Sequence, residues 1–238
     1  MSSHYHIFPL GDAAATIELG NTIDEALNQK VLAMQEWIRA NPFEGLKDTI
    51  VAYSSLTIIY DPVLIKKKFK PVTPVFELVR FILKEAYHHA DVQPDAETPL
   101  IRIPVCYDES YGIDLAIVAE QKNLSKEDVI RLHTAVVYRV FMIGFLPGFP
   151  YMAQVDERLV LPRKIKPVPV VPGSVGIAGS QTGIYPFHSP GGWNIIGRTH
   201  MKLFDAAAEQ MIPFKAGDRV QFYAVSKGEF EGSNGSIV

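Results

Sequence analysis

The 238-residue sequence has a single cysteine, Cys106. An internal disulfide is therefore impossible, and so is a metal site built from several thiolates, which is typical of chains that work in a reducing compartment. The N-terminus also lacks the basic start and apolar run of a signal peptide, and no apolar stretch approaches the ~18 residues that span a bilayer. These absences predict a cytoplasmic protein with no membrane partner and no metal site.

The sequence also lacks a large excess of charge of either sign. The 23 Lys and Arg against 26 Asp and Glu give a formal net charge of −3, which argues against a nucleic acid or an anionic membrane as the main partner. Neither a G-x-x-x-x-G-K-[ST] loop nor a strand-following G-x-G-x-x-G occurs, and the G-x-S-x-G elbow of serine hydrolases is missing. Any use of ATP must then rest on an unfamiliar site or on a partner.

The first ninety or so residues show the pattern of a small α+β domain. Alternation over residues 5–20 predicts two short strands, and Thr22 with Glu25 predicts a capping box that starts an amphipathic helix. Residues 49–60 predict two further strands, and a proline at the first helical position predicts a helix over 73–89. Strands and helices in this order predict helices packed on one face of a sheet.

The polar, proline-bearing segment Ala90–Pro99 is the predicted linker. Its position predicts an N-terminal domain over residues 1–92 and a C-terminal domain over 98–238. In the second domain, helices are predicted over 114–121 and 126–136, the latter introduced by Ser125. Strands are predicted over 100–106, 173–178, 194–198, 201–204 and 219–225. Closely spaced strands between glycine-rich turns favour a β-barrel or a sandwich.

The segment from Gly176 to Thr199 is the strongest functional signal. Six of its 24 residues are glycine, and polar and aromatic side chains stand between them. Turns required by a barrel would explain the glycines but not this density of polar tips, which is typical of a small-ligand pocket wall. The predicted substrate-binding residues here are Gln181, Tyr185, Trp193, Asn194 and Arg198.

Two neighbouring segments extend this prediction. GFLPGFPYM, residues 144–152, is a stiff aromatic turn that either offers backbone N–H groups to an anion or forms a barrel corner, and it contributes Tyr151. Arg163, Lys164 and Lys166 form a basic cluster in a proline-rich segment. Prolines limit backbone freedom, so these cations suit carboxylate or phosphate binding; the alternative is a solvated charged loop.

His133 and His188 are the candidate catalytic residues. A histidine can act as an acid or a base near neutral pH, or bind an anion, because its ordinary pKa lies close to neutrality. For His133, which falls on the helix after Ser125, a structural role in packing against the barrel is the alternative.

These motifs resemble the family of 5-oxoprolinase B subunits, also described as allophanate hydrolase subunit 1 or the sporulation kinase inhibitor family. The resemblance covers essentially the full length, and its most specific parts are GFLPGFPYM, LPR, PGSVGIAGSQTGIYP, SPGGWNIIGRT and PFKAGDRVQF. It implies an α+β protein: a small N-terminal α/β sandwich domain followed by a C-terminal cyclophilin-like β-barrel. One departure is Val168, where relatives usually carry an arginine; Lys166 is the available replacement.

The resemblance implies an enzyme component that is inactive without its partners. The implied partners are a homologous, cyclophilin-like C subunit and an A subunit. The resemblance implies that the three subunits together form an ATP-dependent 5-oxoprolinase. In that reaction the amide oxygen of 5-oxoproline is phosphorylated, and the ring is opened by water to glutamate. ATP is then a co-substrate of the complex, and contact between ATP and this chain is left open. Two alternatives remain: a regulatory inhibitor of a sensor histidine kinase, and a component of a urea- or allophanate-processing carboxyltransferase.

Overall fold

A computed structural model of the chain describes residues 5–70, 74–92 and 99–233. The chain divides into two compact units, Met1–Ala96 and Glu97–Val238. Most of the predicted linker falls on residues 93–98, which lie outside the described residues. The limits of residues 92 and 98 for the two domains therefore stay predictions.

The first unit is a four-stranded antiparallel sheet with helices. Its elements are β1 (His6–Pro9), β2 (Ala14–Glu18), α1 (Glu25–Ala40), β3 (Leu46–Val51), β4 (Ser55–Tyr60), α2 (Pro62–Phe69) and α3 (Val75–His89). The strand order is β1-β2-β4-β3. Leu56, Ile58 and Tyr60 alternate along β4 and are buried, so one sheet face carries the core that α1 and α3 cover.

Three details of this unit differ from the sequence prediction. Pro74 is the N-cap of α3 and not its first helical residue, since the helix begins at Val75. The N-cap of α1 is Asp24 rather than Thr22, because the Asp24 carboxylate accepts a hydrogen bond from the Leu27 N–H at 2.9 Å. The helix α2 is absent from the prediction, since Asp61-Pro62 resembles the end of a strand. In fact the Asp61 carboxylate accepts from the N–H groups of Val63 and Leu64, each at 3.0 Å, and Pro62 occupies the first turn.

The second unit is a closed barrel with helices around it. Its elements are β5 (Leu100–Cys106), α4 (Leu115–Lys122), α5 (Lys126–Ala135), β6 (Val137–Ile143), β7 (Pro150–Ala153), β8 (Val168–Val170), β9 (Ser174–Ala178), β10 (Gln181–Ile184), β11 (Ser189–Gly191), β12 (Asn194–Arg198), β13 (Arg219–Val225) and α6 (Lys227–Gly232). Seven strands close the barrel in the order β10-β7-β6-β13-β5-β12-β9, and β8 pairs with β11 in a separate two-stranded sheet. The predicted α+β class with a C-terminal β-barrel is confirmed.

The barrel strands differ in how well their residues predict them. The predicted bounds of β5, β12 and β13 match the structure residue for residue. The predicted strand at Met201–Phe204 is wrong: this segment is not paired, although Leu203 is buried. Contact with the core explains its apolar residues, and an apolar run in a sequence does not distinguish core contact from strand pairing.

The barrel interior is apolar and continuous. Buried side chains from neighbouring strands, including Ile103, Val140, Val175, Ile177 and Val220, pack into one cluster. Ser125 is the N-cap of α5, as predicted, and its hydroxyl accepts from the Asp128 N–H at 3.0 Å. Across the part of the chain that the structure describes, no helix is long and apolar enough to cross a membrane.

Candidate functional site

Four aromatic side chains form a cluster at one side of the barrel. Phe149, Tyr151 and Tyr185 surround Trp193, with ring centroids 5.4, 5.8 and 6.5 Å from the indole and all contacts edge-to-face. This geometry places positive ring edges against negative ring faces. Trp193, Phe149 and Tyr185 are buried, whereas Tyr151 is half-buried. The aromatic cluster, defined by these four residues, therefore opens to solvent at Tyr151.

Arg163 covers the solvent side of this cluster. Its guanidinium lies 5.8 Å from the centroid of the Trp193 ring, and the residue is exposed. Such a cation–π contact orients a guanidinium while leaving its N–H donors available to a ligand. Burial raises the pKa of Tyr151, with the Arg163 charge acting in the opposite direction. Tyr151 is therefore a neutral phenol beside a cation at neutral pH.

Burial also raises the pKa of Tyr185, and the Trp193 backbone N–H and the Arg163 charge oppose this rise. The tyrosine is held tightly, since a Cβ atom at Gly191 would lie 2.6 Å from its hydroxyl oxygen and 2.7 Å from Val170. Glycine at position 191 is thus required for β11 to approach the cluster this closely. The structure brings four sequence-predicted site residues together: Tyr151, Arg163, Tyr185 and Trp193.

Lys164 and Asn194 have structural partners instead. The Lys164 ammonium lies 2.6 Å from the Asp114 carboxylate, whose same oxygen accepts from the Ile195 N–H at 2.7 Å. The Asn194 amide donates to the backbone oxygens of Pro162 and Ile177 at 3.0 and 3.3 Å. Both side chains therefore anchor the proline-rich segment to β12. The geometry gives no support to the substrate contacts predicted for these two residues, because Asp114 compensates the Lys164 charge and backbone oxygens bind the Asn194 amide.

Arg198 lies at a different place, in a cavity of about 270 Å³. The cavity is bounded by residues 110–113 after β5, by the end of β8, and by β9 and β12. The Arg198 Nε donates to the Pro172 oxygen at 3.0 Å. Val170 and Ile195 line this space and also pack against the aromatic cluster. The Arg198 cavity and the aromatic cluster are thus neighbours that share apolar residues.

The remaining predicted residues lie apart from both features. His188 and Lys166 are exposed and make no hydrogen bond or ion pair within the described residues. Gln181 is half-buried in β10, paired with Ala153 and Ala178. Val168, at the position where relatives usually carry arginine, is half-buried and packs on the aromatic cluster.

His133 is placed in the barrel core. Its ring is fully buried and stacks on Phe222 with centroids 4.7 Å apart. The Thr182 hydroxyl donates to the Gly176 oxygen at 3.1 Å, so it accepts from the His133 Nε2–H at 2.9 Å, and Nδ1 then accepts from the Tyr107 hydroxyl at 2.8 Å. Burial lowers the pKa of His133 to about 3.

A buried, neutral histidine with both nitrogens hydrogen-bonded is a structural group. The structural alternative for His133 is therefore the one that the geometry supports, and the predicted acid–base role is not. Sequence position does not distinguish the structural role from the acid–base role, because only the closed barrel determines which face of the helix is buried. Sequence reasoning missed two residues that line the Arg198 cavity: Ser174, which lies within the PGSVGIAGSQTGIYP motif, and Tyr111, which lies outside the motifs.

Comparison with known proteins places the chain in a family. Residues 5–214 match the family model "Carboxyltransferase domain, subdomain C and D". The chain is 39% identical over 232 residues to the B subunit of 5-oxoprolinase from Bacillus subtilis, covering 97% of both chains. It is 46% identical over 220 residues to the protein of the same name from Escherichia coli O157:H7, covering 92% of this chain and 95% of that one.

Solved structures agree with this result. The crystal structure of TTHA0988 superposes with a TM-score of 0.75 at 36% identity, covering 89% of this chain but only 39% of that longer one. The Kluyveromyces lactis urea amidolyase superposes with a TM-score of 0.76 at 17% identity, which shows a shared fold, over 97% of this chain and 16% of that one. The chain belongs to the family of carboxyltransferase-domain subdomains C and D, the family that includes the 5-oxoprolinase B subunits.

Proposed function

We propose that this chain is the B subunit of an ATP-dependent 5-oxoprolinase, which opens 5-oxoproline to glutamate together with the A and C subunits. The observation that carries the proposal is that two relatives named as B subunits of 5-oxoprolinase match it at 39% and 46% identity over more than nine-tenths of their length. The single cysteine is buried and free, which supports a reducing, cytoplasmic location.

The geometry supplies suitable chemistry for this substrate. 5-Oxoproline carries a carboxylate, and in the proposed reaction its lactam oxygen becomes part of a negatively charged phosphoryl group when ATP phosphorylates it. Arg163 and Arg198 are cations with available donors beside apolar walls. Guanidinium groups that face partly dry surfaces bind oxyanions well. We assign these two arginines as anion contacts and Tyr151 and Trp193 as the wall of the substrate site. His188, Lys166 and Gln181 stay candidate contacts.

The Arg198 cavity is a poor fit for ATP. The Arg198 cavity, at about 270 Å³, falls below the ≈ 300–1,000 Å³ typical of drug-sized ligands. No glycine-rich phosphate loop occurs in the sequence. In this proposal ATP contacts a different component of the complex, and this chain binds the lactam.

Two exposed apolar side chains support contact with the C subunit near this site. Phe145 is 63% exposed and its ring lies 5.9 Å from that of Phe149, and Ile165 next to Lys164 is 99% exposed. Apolar side chains left this open beside a site are typical of a protein contact. Ile165→Asp is expected to weaken co-purification with the C subunit. Val63→Asp, at an equally apolar position that is 60% exposed in the first unit, is the control.

The activity test uses the complex reconstituted from the A, B and C subunits. ADP and glutamate formation from 5-oxoproline are measured for the wild type and for Arg163→Ala and Arg198→Ala. Each variant is expected to lower turnover at least tenfold, since each removes a charged hydrogen-bond donor. Arg102→Ala is the control, because that arginine lies over Tyr223 on β13 and belongs neither to the cavity lining nor to the aromatic cluster.

A correctly assembled complex without turnover would contradict the proposal. Two further assays then separate the alternatives implied by the family resemblance. Inhibition of autophosphorylation of a sensor histidine kinase would indicate the regulatory function. Transfer of a carboxyl group from biotin to urea would indicate the carboxyltransferase function.

A further inference from the structure

The Arg198 cavity contains a cation whose outer nitrogens have no protein partner among the described residues. Arg198 is the last residue of β12 and is half-buried. Its Nε donates to the Pro172 oxygen at 3.0 Å, which fixes the plane of the guanidinium. Its two terminal nitrogens make no hydrogen bond or ion pair with residues 5–70, 74–92 or 99–233. A guanidinium fork held in this way is preorganised for two parallel bonds to an oxyanion.

A serine hydroxyl lies in the same cavity. Ser174, the first residue of β9, is only 2% exposed and lines the cavity. Its hydroxyl forms no hydrogen bond within the part of the chain that the structure describes. An unpaired hydroxyl on a residue this buried, with its oxygen accessible from a cavity, is available to a ligand or a water there.

The other groups in the cavity leave Arg198 and Ser174 as its available side-chain donors. Ile113, Val170 and Ile195 form apolar walls, and the lining that the structure describes includes no Asp or Glu. The hydroxyls of Tyr111 and Ser110 have partners outside the cavity lining, Glu231 for the tyrosine at 3.1 Å and Asp108 with Lys227 for the serine. One cation and one hydroxyl match the two oxygens of a carboxylate. A phosphate would bring further oxygens that these walls leave unsatisfied.

The volume limits the ligand to a small molecule. At about 30 Å³ per water molecule, about 270 Å³ corresponds to about nine waters. A five-membered ring bearing one carboxylate has a comparable number of non-hydrogen atoms. The apolar walls suit the ring, and the guanidinium suits its charge.

Helix α6 holds the part of the cavity wall that Ser110 and Tyr111 form. Phe230 packs against the Tyr111 ring with centroids 4.6 Å apart and stacks on His200 at 3.7 Å. The His200 Nε2 lies 2.9 Å from the Phe230 oxygen. Lys227 bonds the Ser110 hydroxyl at 3.0 Å. A wall fixed by this many contacts forms a cavity before the ligand arrives, which lowers the entropic cost of binding.

We propose that the Arg198 cavity is a binding site for a small ring carboxylate, whose two oxygens are bound by the Arg198 guanidinium and the Ser174 hydroxyl. The identification of that carboxylate with 5-oxoproline rests on the proposed function. The assignment of the cavity to a ring carboxylate does not, because it follows from the charge, the free donors and the volume.

Binding to the full chain tests this assignment with four probes: cyclopentanecarboxylate, its neutral amide cyclopentanecarboxamide, L-5-oxoproline and inorganic phosphate. Affinities are measured by following backbone amide resonances of Tyr111 and Ser174 during titration. The carboxylate is expected to bind at least tenfold more tightly than the carboxamide. Arg198→Met is expected to weaken carboxylate binding at least tenfold, and Ser174→Ala severalfold. Arg102→Met is the matched control and should bind like the wild type.

Arg198→Lys separates charge from geometry, and is expected to recover only part of the lost affinity because an ammonium lacks the planar fork. Thermal unfolding of each variant confirms that the barrel is folded. Equal affinity for carboxylate and carboxamide, binding unaffected by Arg198→Met, or binding of phosphate alone would each overturn the assignment, as would the absence of carboxylate binding.

The same titration distinguishes this assignment from the proposed function. Arg198-dependent binding of cyclopentanecarboxylate without binding of 5-oxoproline would support the cavity assignment and contradict 5-oxoproline as the substrate. Full turnover of 5-oxoproline by a complex that carries Arg198→Met would support 5-oxoproline as the substrate and contradict the assignment of the cavity.

Discussion

The imidazole of His133 donates from Nε2 to the hydroxyl of Thr182, with 2.9 Å between the two atoms. Thr182 lies on β10 and His133 on α5, so this bond joins a helix to the barrel wall. The other ring nitrogen, Nδ1, accepts from the Tyr107 hydroxyl at 2.8 Å. A second proton would add to Nδ1, so it would break that bond and place a charge on a fully buried ring.

The stability of the barrel should therefore fall in acid through His133. The folded-state pKa is about 3 and the unfolded value is about 6.5. Below pH 6.5 the unfolded chain binds a proton that the folded chain does not. Stability is thus lost as pH falls from about 6.5 towards 3, by about 1.4 kcal/mol per pH unit.

Urea unfolding at several pH values from 7 to 4 measures this effect. A Trp37→Phe background leaves Trp193 as the only tryptophan, so its fluorescence reports on the second unit. The His133→Gln variant cannot titrate at this position, and other groups contribute equally to both proteins. The stability advantage of the wild type over His133→Gln should shrink with acidification. An advantage that is constant from pH 7 to 4 would contradict the prediction.

The Lys164–Asp114 ion pair should matter for stability more than for binding. Both side chains are largely buried, at 22% and 9% exposed. Lys164→Met leaves the Asp114 carboxylate buried without its cation, and should lower the free energy of unfolding by about 3 kcal/mol. Lys166→Met, at an exposed neighbouring position, should change it by less than about 0.5 kcal/mol. Equal effects at the two lysines would show that the pair is not formed in solution.

Gly191 should not tolerate a side chain. Alanine at this position would bring a methyl group within 2.6 Å of the Tyr185 hydroxyl and 2.7 Å of Val170. We expect Gly191→Ala to lower the free energy of unfolding by about 1–3 kcal/mol and to change the fluorescence of Trp193. Gly228→Ala is the matched control: it has open space around it in α6 and should stabilise by up to about 1 kcal/mol. Similar losses for the two variants would argue against close packing of β11.

The start of α1 can be tested with a pair of alanine variants. Asp24 caps the helix through the Leu27 N–H, so Asp24→Ala should lower the free energy of unfolding of the first unit by about 1 kcal/mol. Thr22→Ala, at the position that the sequence pattern favours, should have an effect below about 0.5 kcal/mol. Loss of stability in the threonine variant alone would restore the predicted capping box.

Local patterns predict much of the fold. The strand at Leu100–Cys106, the helix after Ser125 and the strand at Arg219–Val225 each carry a periodicity or a cap within their own residues. The helix α2 escapes such a pattern because Asp61-Pro62 is compatible both with a strand end and with a helix start. That choice is made by tertiary packing, which buries Ile65.

The family, the α+β class and the candidate residues Tyr151, Arg163, Tyr185 and Trp193 can be read from the amino-acid order, because motif and composition are properties of neighbouring residues. That these residues meet at Trp193 is decided by the fold. Which cations are free also depends on the folded chain. Lys164 and Asp114 are 50 residues apart, and Asp114 and Ile195 are 81 apart. Barrel closure brings such residues together, so it compensates Lys164, buries His133, and leaves Arg198 with open donors in a cavity. Pairing across such separations requires the closed barrel, and no local pattern encodes it.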